Sequence, residues 1–370
     1  GYSTIGGGRC NTASSYFSTI GGGKGNTASI GYSTIGGGFC NFASGIGSTV
    51  GGGGVNYYNS GFYAASNTAS GDSSTIGGGL YNFASGCRST IGGGCCNTAS
   101  CDRSTIGGGS YNTASGIGST VGCGSYNCSM GEMSSIIGGG CNLTCQYYST
   151  VGGGCSNCAT VNYSTVSGGR KNESSGRYSF IGGGRDNIAY GFQSTIGGGY
   201  CNIASGFQST IGGGKSNSAT NVSSTIGGGK VNLNKSQSGF IGGGNLNITS
   251  NATIFGSYCV NSNCFVIYGD QTSSFTIGDN FISSNYNNTT YAGQITNVVY
   301  SGYYTCLYTN QTFTYGNNPR LVNTTTAPNG CNFATIGGGF ANKSFGCFSF
   351  IGGGRYGISS GNFSTIGGGS

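Results

Sequence analysis

The sequence predicts an all-β protein: a β-solenoid of the parallel β-roll kind, with two short strands per 15-residue coil and an irregular β-rich insertion. Three observations predict it. The unit Ser-Thr-Ile-Gly-Gly-Gly-x-x-Asn-x-Ala-Ser-Gly-x-x recurs through most of the chain, its leading Ser falling at 3, 18, 33 and 48 and then at 74, 89, 104 and 119. Glycine supplies 81 of 370 residues against only 2 prolines, which excludes a collagen triple helix. Charged residues are 6% of the chain, too few for an ordinary soluble domain, while Ile and aromatics are too frequent for a disordered one.

A 15-residue period is too short for a helix-turn-helix repeat, and Thr, Ile and Gly disfavour helix. In the first strand, Ser3 and Ile5 point to one face and Thr4 to the other; in the second, Asn11 and Ala13 share a face. Stacked coils bring equivalent positions to about 4.8 Å. Ile5, Ile20, Ile35, Val50, Ile76 and Ile91 are therefore expected to form a buried ladder, facing a smaller one of Ala13, Ala28, Ala43, Ala84 and Ala99.

Asn11, Asn26, Asn41, Asn56 and Asn82 follow the glycines, where Asn tolerates a left-handed turn and its amide can bond the next coil. They predict a structural Asn ladder. The glycines read as backbone devices for positive φ or close chain approach, not as a phosphate cradle, since no Gly-Lys-Ser/Thr follows any triplet.

Two interruptions divide the chain. Residues 1–254 are predicted as β-roll, with a looped-out coil at 54–73, and the period is expected to slip by one residue at Ser135. Residues 255–330 form an aromatic-rich insertion holding both prolines. Two degraded coils are expected there, Val266-Ile267-Tyr268-Gly269-Asp270 and Phe275-Thr276-Ile277-Gly278-Asp279, and its aromatics make it a candidate recognition module. The roll resumes over 331–370.

The coupling of Ser-Thr-Ile-Gly to Asn-x-Ala-Ser-Gly resembles the head repeats of YadA-like trimeric autotransporter adhesins. Matching segments include Ala43-Ser44-Gly45, Ala84-Ser85-Gly86, Ala114-Ser115-Gly116 and Ala204-Ser205-Gly206, each followed by the next Ser-Thr-Ile or Ser-Thr-Val. The resemblance covers 1–250 and 331–370. It implies a left-handed parallel β-roll, three chains around one axis, and adhesion. Ile stands where that family often has Ala, the Gly triplet is continuous, and the chain holds 18 Cys. A viral or eukaryotic surface fibre built on the same roll is therefore an equal expectation.

Placed on the coil, Cys141 and Cys155 are expected at the same position of successive coils, and Cys87 with Cys101, Cys145 with Cys158 (or Cys128), and Cys331 with Cys347 similarly one coil apart; these are the disulfide candidates. Cys10, Cys40, Cys96 and Cys201 share a position but lie too far apart to pair within one chain. With no His and only one C-x-x-C, at Cys155 and Cys158, no metal or cofactor is expected. Among the Asn-x-Ser/Thr sites, Asn162, Asn221 and Asn362 fall at the variable turn, and Asn310 and Asn323 in the insertion. These are the glycosylation candidates, and with disulfides they indicate an extracellular destination.

The net charge of +7 comes from 14 basic and 7 acidic residues scattered singly apart from Arg170-Lys171, which gives no reason to expect a nucleic-acid partner. No apolar run is long enough to span a membrane. The chain opens and closes inside a repeat, as expected for part of a longer protein.

The expected function is a non-enzymatic structural and adhesive component of an extracellular or surface fibre. Its expected partners are copies of itself, a trimer favoured and end-to-end polymers allowed, together with host surface or matrix glycans or proteins. Two other classes fit parts of the pattern. An ice-binding solenoid is suggested by the Thr column from Thr4 to Thr105, although Phe180, Phe240 and Phe350 interrupt it. A carbohydrate-cleaving solenoid needs paired carboxylates, and the only pair to propose is Asp270 and Asp279.

Overall fold

The computed structural model describes residues 2–58, 61–249, 254–261, 264–268, 280–284, 290–300, 304–309, 320–323, 333–346, 348–361 and 363–369; for 55–64 and for the strands between 254 and 323 it describes the backbone alone. All of the described regular structure is β, and the repeats form a β-solenoid. The chain makes two compact units, Gly1–Ala219 and Thr220–Ser370.

In the first unit each coil contributes two two-residue strands, one carrying Ile or Val and one carrying Ala or, in three coils, Ser129, Thr144 or Ser174, and each strand pairs in parallel with its equivalent one coil on. Thr90 and Ile91 sit opposite Thr105 and Ile106, and Thr98 and Ala99 opposite Thr113 and Ala114. The turns are also zipped: Cys95 N donates to Gly109 O at 2.9 Å, and Tyr111 N to Cys95 O at 2.9 Å. This continuous bonding satisfies a backbone that has little side-chain bulk to shield it.

The interior holds four ladders. Ile20, Ile35, Ile76, Ile91 and Ile106 are fully buried, as are Ala28, Ala43, Ala69, Ala84 and Ala99. A large residue facing a small one fills a thin core without voids. Ser and Asn columns flank this apolar file and are buried as completely, with Ser89 and Asn97 at 0% exposure. Ile5, in register with Ile20, is 45% exposed because only one neighbouring coil covers it.

Buried Asn must be fully bonded. Asn26 Nδ2 donates to Gly22 O in its own coil and to Gly38 O in the next, both at 3.0 Å. Its Oδ1 accepts Asn41 N at 2.9 Å, and Asn11 Oδ1 accepts Asn26 N at 3.0 Å. The Asn ladder is thus side chain to backbone, joined by amide-to-amide bonds such as Asn41 Nδ2 to Asn26 Oδ1 at 3.2 Å. The left-handed conformation belongs not to Asn but to the residue before it, with φ 59° at Cys96 and 55° at Tyr111.

Where the Ala position turns polar, the leading Ser answers it. Ser129 Oγ lies 2.7 Å from Ser134 Oγ, and Ser174 Oγ 2.6 Å from Ser179 Oγ. These contacts also correct the register. The period does not slip to Ser135: Ser134 is the buried leading Ser, and Ser135 and Ile136 pair with Thr120 and Val121 in step.

The looped-out coil is an antiparallel hairpin of Val55–Tyr58 with Gly61–Ala64. Asn56 belongs to this hairpin and not to the Asn ladder. Asn67 takes its place, its N bonded to Asn41 Oδ1 and its Oδ1 to Asn82 N, both at 3.1 Å. The roll closes over the excursion, with Thr49 opposite Thr75 and Phe42 opposite Thr68.

The second unit repeats the scheme and bridges a larger excursion. Phe240 and Ile241 pair directly with Thr335 and Ile336. One coil trades volume within itself: Asn234 fills the Ala position and Gly239 the Ser position, where an added Cβ would lie 2.6 Å from Asn234 Oδ1. Asn234 Nδ2 donates to Gly239 O at 2.7 Å and to Thr225 O at 2.9 Å.

Between these coils, six strands close into an antiparallel barrel. In barrel order they are Ile254–Asn261, Cys264–Tyr268, Tyr304–Thr309, Thr290–Tyr300, Asn280–Ser284 and Arg320–Asn323. Residues 266–268 are therefore barrel strand and not a degraded coil. The second expected coil, Phe275 to Asp279, lies outside the described residues, as do Asp270, Cys331, Cys347, Asn310 and Asn362.

Candidate functional site

A roll of repeated coils has no single cleft; its chemistry lies in columns that one coil position writes along the outside. Four columns stand out. Thr75, Thr90, Thr105 and Thr120 form an unbroken outward file on the Ile-bearing sheet, and further on Phe180 replaces Thr and is 39% exposed. The opposite sheet alternates Thr with exposed Phe42 and Phe83.

At the turn before the leading Ser, aromatics stack rung on rung. Ring centroids are 5.4 Å apart for Tyr148 and Tyr163 and 4.8 Å for Tyr163 and Tyr178. In the second unit Phe333, Phe348 and Phe363 stack at 5.0 and 5.2 Å. These rings sit on left-handed backbone, φ 55° at Tyr148 and 60° at Tyr163, which bulky residues adopt at a cost. Offset stacking returns about 0.5–1.5 kcal/mol per pair.

The fourth column follows the Gly triplet. Half of the chain's 14 lysines and arginines occupy this one position of the coil: Arg9, Lys24, Arg170, Arg185 and Lys215 in the first unit, Lys230 and Arg355 in the second. Aromatics are interleaved with them. Lys24 lies 5.3 Å from the centroid of Phe39, and Arg185 and Lys215 lie 5.2 and 5.4 Å from that of Tyr200. Sequence reasoning missed this column because its members stand a coil or more apart; sorting residues by coil position would have found it.

Two of the described acids serve the backbone, and a third pairs with a neighbouring side chain. Asp72 Oδ1 accepts Ile46 N at 2.9 Å, Asp102 Oδ1 accepts Cys87 N at 3.2 Å, and Asp186 pairs with Arg185 at 2.9 Å. Among the described residues no group of three His, Cys, Asp or Glu could hold a metal ion, and no helix is long and apolar enough to cross a membrane.

The thirteen cysteines whose side chains are described, from Cys10 to Cys201, are free thiols. Two proposed pairs are one residue out of register, because the period is 15 and their spacing is 14. Cys155 bridges Gly140, not Cys141, and the coil equivalent of Cys87 is Asp102, not Cys101. Cys128 and Cys158 flank Leu143 from the coils on either side of it; burial raises the thiol pKa values of Cys128, Cys145 and Cys158, that of Cys128 further through Cys145 and that of Cys158 further through Glu173 and then Cys145. The neighbours Cys95 and Cys96 place their Sγ atoms 3.1 Å apart, and burial first, then Cys96, pushes the Cys95 pKa up to about 11.

A raised pKa leaves little thiolate at neutral pH. After reduction, Cys128, Cys145 and Cys158 are expected to alkylate with iodoacetamide at pH 7.5 about tenfold more slowly than exposed Cys123, Cys141 and Cys155. Time-resolved peptide mass spectrometry reads this, and equal rates would contradict the placement.

The sequons divide by position. Asn127, Asn142 and Asn172 are ladder residues, buried with their amides bonded, and a glycan there is incompatible with stacking. Asn162 is half-buried at the variable turn. Asn221 is half-buried too, its Nδ2 donating to Lys235 O at 2.8 Å. Asn323 ends a barrel strand.

No protein-family model matches the chain, and no curated protein matches it.

Proposed function

We propose that this chain is the structural and adhesive component of an extracellular or surface fibre, a rigid rod with no catalytic role. The observation that carries the proposal is the unbroken like-on-like register, Ile91 on Ile106 and Ala99 on Ala114, with both edges of every inner coil bonded. Such a stack resists bending because each rung is held by its neighbours, and it lengthens by about 4.8 Å per coil. The resemblance to trimeric adhesin heads supports assembly of three chains, and the exposed aromatic columns offer apolar surface for lateral contact.

Negative-stain electron microscopy with light scattering tests this. Rods with the mass of three chains are expected. Compact spheres would remove the rod, and rods of single-chain mass would remove the trimer alone.

The unbroken file from Thr75 to Thr120 favours one second reading, an ice-binding face. Thermal hysteresis in a freezing-point assay would establish it in place of adhesion.

A further inference from the structure

We propose that the column of Arg170, Arg185, Tyr200 and Lys215 binds a linear acidic polysaccharide, an extended chain carrying carboxylate or sulfate groups. This rests on the adhesive reading above and names the ligand class for it. The four residues are bridged in parallel, rung by rung, so their side chains emerge in a straight file about 4.8 Å apart. Arg170, Arg185 and Tyr200 are exposed, and Lys215 is half-buried.

Like charges on adjacent strands repel and destabilise a sheet. The fold does not require them, since Ser110 and Ser125 fill the same position in neighbouring coils with the same bridging. The ring contacts at Tyr200 and the single bond from Asp186 offset part of that repulsion, and an anion lying along the file accounts for the rest. Asp186 takes only Nε of Arg185, leaving the two terminal nitrogens for a carboxylate or sulfate, which a guanidinium grips in bidentate fashion.

The same geometry disfavours nucleic acid. Single-strand binders need aromatic faces open for base stacking. Here the Tyr200 ring is attended from adjacent rungs by Arg185 and Lys215, so the file presents charge in a line and no platform. A duplex winds its phosphates away from a straight line, whereas an extended glycan keeps its anions along one edge.

The test measures anisotropy of a fluorescent heparin oligosaccharide with the full chain across a salt series. One variant is R170S/R185S/K215S. A charge-matched control at the opposite turn is R88S/R103S/R177S. Serine is native at the column position (Ser110, Ser125) and at the Arg88 and Arg103 position (Ser73, Ser223), and circular dichroism checks folding.

Heparin binding weakened about tenfold by the column variant and less than about twofold by the control is expected, the loss of three ionic contacts, two exposed and one half-buried. Absence of heparin binding, equal loss in both variants, or tighter binding of a single-stranded oligodeoxynucleotide would overturn the proposal. Micrographs of the same samples separate the two readings: rods that bind no heparin sink this inference alone, and spheres sink the rod.

Discussion

Replacing Gly109 by Ala is expected to cost on the order of 5 kcal/mol, while the same change at its neighbour Gly108 is neutral or slightly stabilising. Gly109 has φ +91°, and a Cβ there would collide with the backbone oxygen of Gly124 in the next coil and lie 2.8 Å from Asn112 Nδ2. Relief requires the rungs to part, which breaks the bonds to Gly124 O from Ser110 N at 2.9 Å and from Asn112 Nδ2 at 2.8 Å, and so unseats the Asn ladder. A Cβ on Gly108 meets nothing within 4 Å.

The chain's own variation agrees. Ile137 and Ser167 replace the first glycine of a triplet and Cys123 the middle one, yet the third is Gly in every described coil that keeps the motif. Urea denaturation followed by tyrosine fluorescence gives the magnitude, and hydrogen exchange on peptides around 95–125 localises it. Equal effects of the two substitutions would contradict the close approach.

The second large effect is expected at the middle of the Asn ladder. Asn187→Ala removes bonds from Nδ2 to Gly183 O and Gly199 O, both at 3.0 Å, and the acceptor of Asn202 N at 2.9 Å. Gly199 O keeps its bond from Arg185 N at 2.8 Å, while Gly183 O and Asn202 N are left without a partner. At about 1–3 kcal/mol for each buried group left unpaired, a loss of about 4 kcal/mol follows. Exchange of the Asn202 amide should accelerate with it. An Asn187→Ala chain as stable as the parent would mean that the ladder is ornamental.

The ladders were legible in the sequence because one strict period writes one residue type at one place. Ile91, Ala99 and Asn97 recur at equal intervals, and stacking turns recurrence into contact. Register was harder wherever the sequence offers two equivalent choices. Ser134-Ser135 and Ile136-Ile137 each allow two alignments by pattern, and only burial of Ser134 decides between them. Asn56 and Asn67 compete for one rung, and the hairpin between them decides for Asn67.

The same sensitivity undid the register expected for Cys141 and Cys155, where a single residue separates neighbours from equivalents. In the barrel, Val266-Ile267-Tyr268 imitates a coil locally, but two antiparallel strands, Ile254–Asn261 beside it and Tyr304–Thr309 farther along the chain, claim it. The basic column was invisible for the opposite reason, since residues a coil apart look scattered until they are sorted by coil position.

Density at side-chain resolution for the assembled protein, by crystallography or electron cryomicroscopy, tests the central claim most directly. The account predicts Ile76, Ile91 and Ile106 in one dry file, each about 4.8 Å from the next, with Asn82, Asn97 and Asn112 linked beside them. Isoleucines that are scattered or face solvent would contradict it.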